Sequence, residues 1–374
     1  MKKLKKIPFI LSLLSLLTFF TPTNADIKVV ASIKPIHSLA SYLMDGVAKP
    51  DLIVDGYASP HGFAMKPSHA KMLQNADLIF WVGEDLENFL EKPLKSIAKK
   101  AEKIELMEIK GLQVLKFRER NIFDDHDDHG HDDHDDHGKK EDDHDDHDHD
   151  DHGKKEDDHD DHDHDDHGKK EDDHDDHGHD DHGHDDHGKK DGHDDHDDHD
   201  GHEGHHHGEF DPHIWLDPVN AKVILKEMAE HLIENDSKNE ATYKSNLKKA
   251  LNDIDKLTAD VKAELNKSVA SIVFHDAYQY FEERFNVNIL GAFTVNTDVM
   301  PGAEQLKEIR EIIEHDKVAC VFSEPQFNPD IIKAVAKDMN IKTGVVDPLG
   351  ATLNPGKSLY FDLIRNMSAS FKGC

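Results

Sequence analysis

Residues 238–266 read KNEATYKSNLKKALNDIDKLTADVKAELN, and the fold turns on what this stretch is. The helical pattern is carried by Tyr243, Leu247, Ala250, Leu251, Ile254, Leu257, Val261 and Leu265. They recur every three or four positions, which marks one apolar stripe along an α-helix. At 1.5 Å per residue such a helix runs for roughly 40 Å. That is long for a helix inside one small lobe and suits a rigid strut between two. On both sides of it, short apolar runs alternate with helical patterns. Upstream, strands are expected at 27–33, 52–54, 78–82 and 104–109. Helices are expected at 37–43, entered at Pro35 and stopped by Gly46, and at 66–75, 86–98 and from Pro218 to about Ile233. Downstream, strands are expected at 271–274, 287–290, 319–322 and 343–346, and helices at 277–285, 303–315, 329–339 and 358–371. Strands separated by helices indicate parallel sheets covered on both faces. The expected fold class is α/β: two βα sandwich lobes, 26–237 and 267–374, joined by one long rigid helix over 238–266, with a cleft between the lobes.

Residues 124–209 interrupt the first lobe. They hold 26 of the 33 histidines, and 41 Asp and Glu against 8 Lys, a net of −33 where the whole chain carries −34. The remainder of the chain is therefore near neutral, and the acidity says nothing about the fold. The segment has no aromatic residues and almost no aliphatic ones. It cannot bury enough apolar surface to offset the entropy of ordering, so it is expected to be a disordered loop. GKKEDDHDDHDHDDH occurs twice in tandem, at 138–152 and 153–167, without a hydrophobic face to stack as a solenoid. Imidazoles flanked by carboxylates are weak ligands for Zn2+, Cu2+ or Ni2+. The tract is either a metal scavenger or sensor, or a solvated expansion with no role. A chain this acidic repels nucleic-acid phosphates.

The N-terminus has the pattern of a secretory signal. Lys2, Lys3, Lys5 and Lys6 precede an apolar run at 7–20, and Thr23-Asn24-Ala25 offers a cleavage point after Ala25. A membrane anchor is the alternative, although the run is short for a span of roughly 20 residues. Export permits a disulfide between the only two cysteines, Cys320 and Cys374; two free thiols are the other possibility.

Four candidate ligands fall where expected strands end. His61 lies in SPHGF (59–63), His213 in DPHIWLDP (211–218), His275 in VFHDAY (273–278) and Asp347 in VVDPLG (345–350). In open α/β sheets, ligands bind beyond the carboxyl ends of the strands, so two facing lobes can bring these groups together, two from each. Three imidazoles and an oxygen suit tetrahedral Zn2+. His37 and His69 sit on expected helices and read as structural or exposed. His231 and His315 lie near helix C-termini, where a positive charge suits the macrodipole, and call for no metal.

DPHIWLDP (211–218), Pro60-His61 followed by Lys66-Pro67-Ser68, and FSEPQF (322–327) resemble the zinc-binding periplasmic proteins of ABC importers, the ZnuA type, over nearly all of the mature chain. The resemblance implies metal ligands at His61, His213 and His275, a fold of two α/β lobes on one long helix, and a disulfide between Cys320 and Cys374. It also implies that the manganese relatives carry Glu where this chain has His275, and a third nitrogen favours zinc over the harder ion. Several zinc members have Glu just before the first ligand; here that residue is Pro60, so the fourth position falls to Asp347 or to water.

The resulting expectation is a periplasmic, monomeric solute-binding protein rather than an enzyme. It takes Zn2+ and passes it to a membrane permease served by a separate ATPase subunit, since the chain has no nucleotide-binding loop. Two alternatives stay open. Three histidines and a water also describe a hydrolytic zinc, with Glu324 or Asp276 as the acid or base, although no HExxH pattern is present. A storage or adhesion protein would make the tract the main function.

Overall fold

A strand covered on both faces is apolar throughout, and the first strand, VVASI, is buried at all five positions. The computed structural model describes residues 26–118, 121–122, 208–265, 269–295, 297, 301–337, 339 and 341–374. The expected signal segment, and the tract apart from Gly208 and Glu209, lie outside the described residues. The first sheet follows from β1 (Val29–Ile33), α1 (Lys34–Leu43), β2 (Asp51–Val54), α2 (Pro67–Asn75), β3 (Leu78–Trp81), α3 (Glu84–Ser96) and β4 (Glu102–Glu105). Its strands are all parallel, in the order β2-β1-β3-β4. After α4 (Pro218–Asn235) and α5 (Glu240–Glu264), the second sheet repeats the scheme. It is built from β5 (Ser271–His275), α6 (Gln279–Phe285), β6 (Ile289–Thr294), α7 (Ala303–His315), β7 (Cys320–Ser323), α8 (Asp330–Ala336), β8 (Lys342–Val345) and α9 (Leu359–Lys372). The order β6-β5-β7-β8 is again parallel throughout.

The long helix α5 covers 25 residues, preceded by a single 3-10 turn at Ser237–Asn239. It buries Tyr243, Ala250, Ile254, Leu257 and Val261 as the stripe requires, and packs against α1, α4 and α9. It also buries Asn246, which an apolar pattern cannot reveal. The Asn246 amide donates to the Leu43 and Asp45 carbonyls at 2.9 Å each, satisfying acceptors that the end of α1 leaves open.

Two strands differ from the sequence reading. The one expected at 104–109 is β4, which starts two residues earlier and stops at Glu105. The chain then makes a 3-10 turn at Leu106–Glu108 that still buries Leu106, because a short apolar run does not distinguish a strand from a buried turn. The one expected at 287–290 is β6, Ile289–Thr294. Asn286 ends α6 in the left-handed region at φ 54°, so the next two residues serve the exit from the helix.

One hydrophobic core runs from the first sheet through α4 and α5 to the inner face of the second sheet and α9. A smaller core lies on the outer face of the second sheet, with Ile309 and Ile313 of α7 and Ile332 and Val335 of α8. Strand β5 feeds both: Val273 points into the large core, Ile272 and Phe274 into the small one. Cys320 and Cys374 are bonded, with Cα atoms 5.9 Å apart, tying β7 to the end of α9.

Candidate metal centre

His275 is the last residue of β5 and therefore lies at the carboxyl edge of the second sheet. Its Nδ1 is 2.9 and 3.2 Å from the two carboxylate oxygens of Glu324, which follows β7. A carboxylate only accepts, so Nδ1 carries the proton and Nε2 presents its lone pair. That Nε2 is buried and has no hydrogen-bond partner among the described residues. His213 repeats the arrangement locally: its Nδ1 is 2.7 Å from Asp211 Oδ1, two residues back. Asp211 is fixed in turn, its N–H donating to the Leu115 carbonyl at 2.8 Å and its carbonyl accepting from the Tyr280 hydroxyl at 2.7 Å. Beside this turn, Lys116 pairs antiparallel with Phe210, which closes the neck of the 124–209 tract. His61 comes from the loop between β2 and α2, its backbone N–H donating to Ser59 Oγ at 3.3 Å.

The three rings meet. Their centroids are 5.1 Å (His213–His275), 5.6 Å (His61–His275) and 5.7 Å (His61–His213) apart, and one nitrogen of each lies within 4.8 Å of the other two. Nitrogens about 2.1 Å from one tetrahedral ion are about 3.4 Å from each other, so the rings need draw in by little more than an ångström. The space they line, with Pro60, Trp215, Phe327, Pro348 and Leu349, is about 10 Å³. That is room for about one water molecule, which fits an ion and excludes an organic substrate.

Asp347 does not join the rings. Its Oδ1 accepts from the Ala351 N–H at 2.9 Å and the Gln326 amide at 3.3 Å, and its Oδ2 from the Thr352 N–H and hydroxyl, both at 3.1 Å. It shapes the loop whose Pro348 and Leu349 wall the cavity. Of the two carboxylates considered as a hydrolytic base, Glu324 is engaged with His275. Asp276 faces Arg118 at 3.4 Å, whose guanidinium also pairs with Glu282.

The electrostatics suit a dication. Burial, reinforced by the neighbouring His275, holds His213 well below the ordinary imidazole value, so it stays neutral and able to ligate. Burial also depresses His275, but the charge and hydrogen bond of Glu324, with Asp276 and Asp211, outweigh it and raise His275 above 6.5. Burial pushes Asp211 up to about 7, against the His213 N–H and the Arg118 and His275 charges. A bound dication takes the place of a proton on each ring, and the carboxylates of Glu324 and Asp211 lie behind His275 and His213, where its positive charge favours their ionised form.

The parts that sequence reasoning missed are these two carboxylates acting through the rings. The spacing Asp-Pro-His is a local signal for Asp211. Glu324 is 49 residues from His275 and becomes its partner only through the pairing of β5 with β7.

The family described as zinc-uptake complex component A, periplasmic, matches residues 29–374. The chain is 42% identical over 348 residues to the high-affinity zinc uptake system protein ZnuA of Brucella abortus, covering 92% of this chain and 91% of that one. It is 36% identical over 381 residues to ZnuA of Haemophilus influenzae, covering 100% and 99%. Among solved structures, a crystal structure of ZnuA superimposes with a TM-score of 0.62 at 18% identity, covering 92% of this chain and 99% of that one. A zinc-bound ZnuA deletion mutant gives 0.60 at 18% identity, covering 93% and 98%. With a family match over almost the whole length of the chain and relatives above 40% identity, this chain belongs to the periplasmic zinc-uptake component A family.

Proposed function

We propose that this protein is the periplasmic solute-binding component of a high-affinity zinc importer. It takes one Zn2+ between His61, His213 and His275 and hands it to a membrane permease driven by a separate ATPase subunit. The observation that carries the reading is the pair of carboxylates, Asp211 and Glu324, that hold His213 and His275 with their Nε2 atoms facing an ion-sized space. Carboxylate–imidazole–metal arrangements of this kind fix the tautomer and raise ligand basicity. The size of the space and the commitment of Glu324 and Asp276 speak against a hydrolase. Solvent completes the coordination rather than Asp347, whose oxygens already accept from the backbone.

The organisation that goes with this is a cleaved signal at 1–25, lobes at 26–237 and 267–374, and a linking helix at 238–266. The protein acts as a monomer and does not bind nucleic acid. The tract at 124–209, rich in imidazole and carboxylate groups, collects metal more weakly than the three-histidine site.

Competition titration against a zinc chelator tests the assignment. His275→Ala should remove the tightest class of site while leaving the weak sites of the tract. Asp347→Asn should leave the tight affinity within a few-fold. Tight binding that survives His275→Ala would overturn the ligand set, and a large loss in Asp347→Asn would put that carboxylate on the metal.

A further inference from the structure

Three imidazoles leave a tetrahedral ion with one coordination position to fill. Gln326 bears on that position. It follows β7 in the FSEPQF stretch (322–327) and lines the same cavity as His61, His213 and His275. Its amide has a fixed sense. Nε2 lies 3.3 Å from Asp347 Oδ1, and a carboxylate only accepts, so the NH2 group faces Asp347 and the carbonyl oxygen faces away from it. Asp347 is held in turn by the N–H groups of Ala351 and Thr352.

The oxygen so directed, Gln326 Oε1, is buried and has no hydrogen-bond partner among the described residues. A buried acceptor left in that condition costs free energy, and native proteins keep few of them without a functional reason. His275 Nε2, in the same cavity, is in the same condition, and it is a proposed ligand. The rings line a second small space as well, with Asp85, Phe117, Phe210 and Thr297; each of the two is about 10 Å³. An ion held at the nitrogens that both spaces share leaves one of them for a single water. Thr297 Oγ1 is likewise buried without a partner among the described residues. A hydroxyl rotates and both donates and accepts, so it sets no direction. The amide clamped by Asp347 does.

We propose that Gln326 positions the water at the fourth place of the zinc site. Its Oε1 accepts a hydrogen bond from that water, while its amide keeps the Asp347 carboxylate turned to its own loop. The inference rests on the three-histidine ligand set. A water bound to Zn2+ is a stronger donor than free water, because the metal draws charge from it. The amide oxygen meets that donor without adding a charge. The donor set then stays at three nitrogens and a water, and does not gain the hard carboxylate that suits manganese. Gln326 is a positioning residue, acting on the ion through the water.

Crystals of the zinc-loaded full-length chain should show one water on the ion, within about 3.2 Å of Gln326 Oε1. In solution, chelator competition reads the tight site apart from the weak sites of the tract. Gln326→Met, which has neither the oxygen nor the amide, should weaken tight zinc about tenfold. Gln326→Glu, which keeps an acceptor oxygen and gives up the amide, should restore it. Cobalt(II) in place of zinc adds a readout that stability does not move: the visible absorption of the four-coordinate ion should change in Gln326→Met and return in Gln326→Glu. A water on the Thr297 side, Oε1 or Asp347 bound directly to the ion, or wild-type affinity and cobalt spectrum in Gln326→Met would overturn the proposal. Equal losses in the Met and Glu variants would do so too, since the oxygen would then be immaterial. In each of these cases His275→Ala still removes the tight site and the ligand set stands. Tight zinc that survives His275→Ala overturns both.

Discussion

A neutral imidazole can offer a cation either nitrogen, and at His275 the carboxylate behind it makes the choice. Glutamine in place of Glu324 keeps an acceptor for Nδ1–H but removes the charge that raises the ring's basicity. Glu324→Gln should weaken zinc binding about 10–100-fold, measured by chelator competition, and unchanged affinity would remove Glu324 from the site's design. A different buried carboxylate bears on stability. Glu87 accepts from the Val82 and Gly83 N–H groups at 2.7 and 3.2 Å, yet burial prevails over these bonds and pushes it up to about 7. A carboxyl whose folded value is raised favours the fold in its protonated form. Its contribution is complete below the unfolded value of 4.5 and is lost as pH rises through about 7. Glu87→Gln should therefore be more stable than wild type at pH 8, by about 3 kcal/mol, with the gap closing toward pH 4. Urea unfolding midpoints across that range check the sign.

At the scale of elements, the motif at 211–218 serves two helices at once. Asp217 caps α4 by accepting from the Val219 N–H at 2.8 Å, with Pro218 in the first helical turn, and this much is readable from the order of residues. Its second role is not. Arg284 of α6 grips the same carboxylate with two bonds of 2.7 Å, so the capping residue of one lobe anchors a helix of the other. Asp217→Ala loses the cap and leaves a partly buried guanidinium without its partner, which should cost about 2–4 kcal/mol. Thermal unfolding followed by circular dichroism would show it, and a loss near half a kcal/mol would mean the clamp is immaterial. In the same way the helical periods of α5 and α7 were legible, while the 3-10 turn after β4 and the late start of β6 depended on how the chain leaves its neighbours.

For the whole molecule, the continuous core matters more than the strut alone. Lys34, buried at the start of α1, donates to the carbonyls of Gly350, Ala351 and Leu353 at 3.4, 2.9 and 3.0 Å. Trp215 Nε1 donates to the Pro348 carbonyl at 2.8 Å. All four bonds cross from the first lobe to the loop that walls the cavity. Rotating the lobes apart would expose shared core and strand these carbonyls, so metal entry and release must rely on local loop movement and small tilts. Small-angle scattering of the metal-free and zinc-loaded forms should then superimpose, and a clear expansion on zinc removal would contradict the rigid reading. The bond from Cys320 to Cys374 closes a separation of 54 residues, worth about 4 kcal/mol in the chain-entropy model. Cys374→Ser should lower the denaturation midpoint accordingly and leave zinc affinity unchanged. The order of residues alone determined the alternation of strands and helices, the long helix and the place of His275 at a strand end, because periodicity and turn chemistry act over a few neighbours; His61 lies in a loop past β2 and His213 at the start of a 3-10 turn. Only the tertiary structure decided that Glu324 reaches His275, that Asp347 turns to its own loop, and that the two lobes share one core. Those relations join residues far apart in the chain, and they depend on which strands pair and which faces are buried.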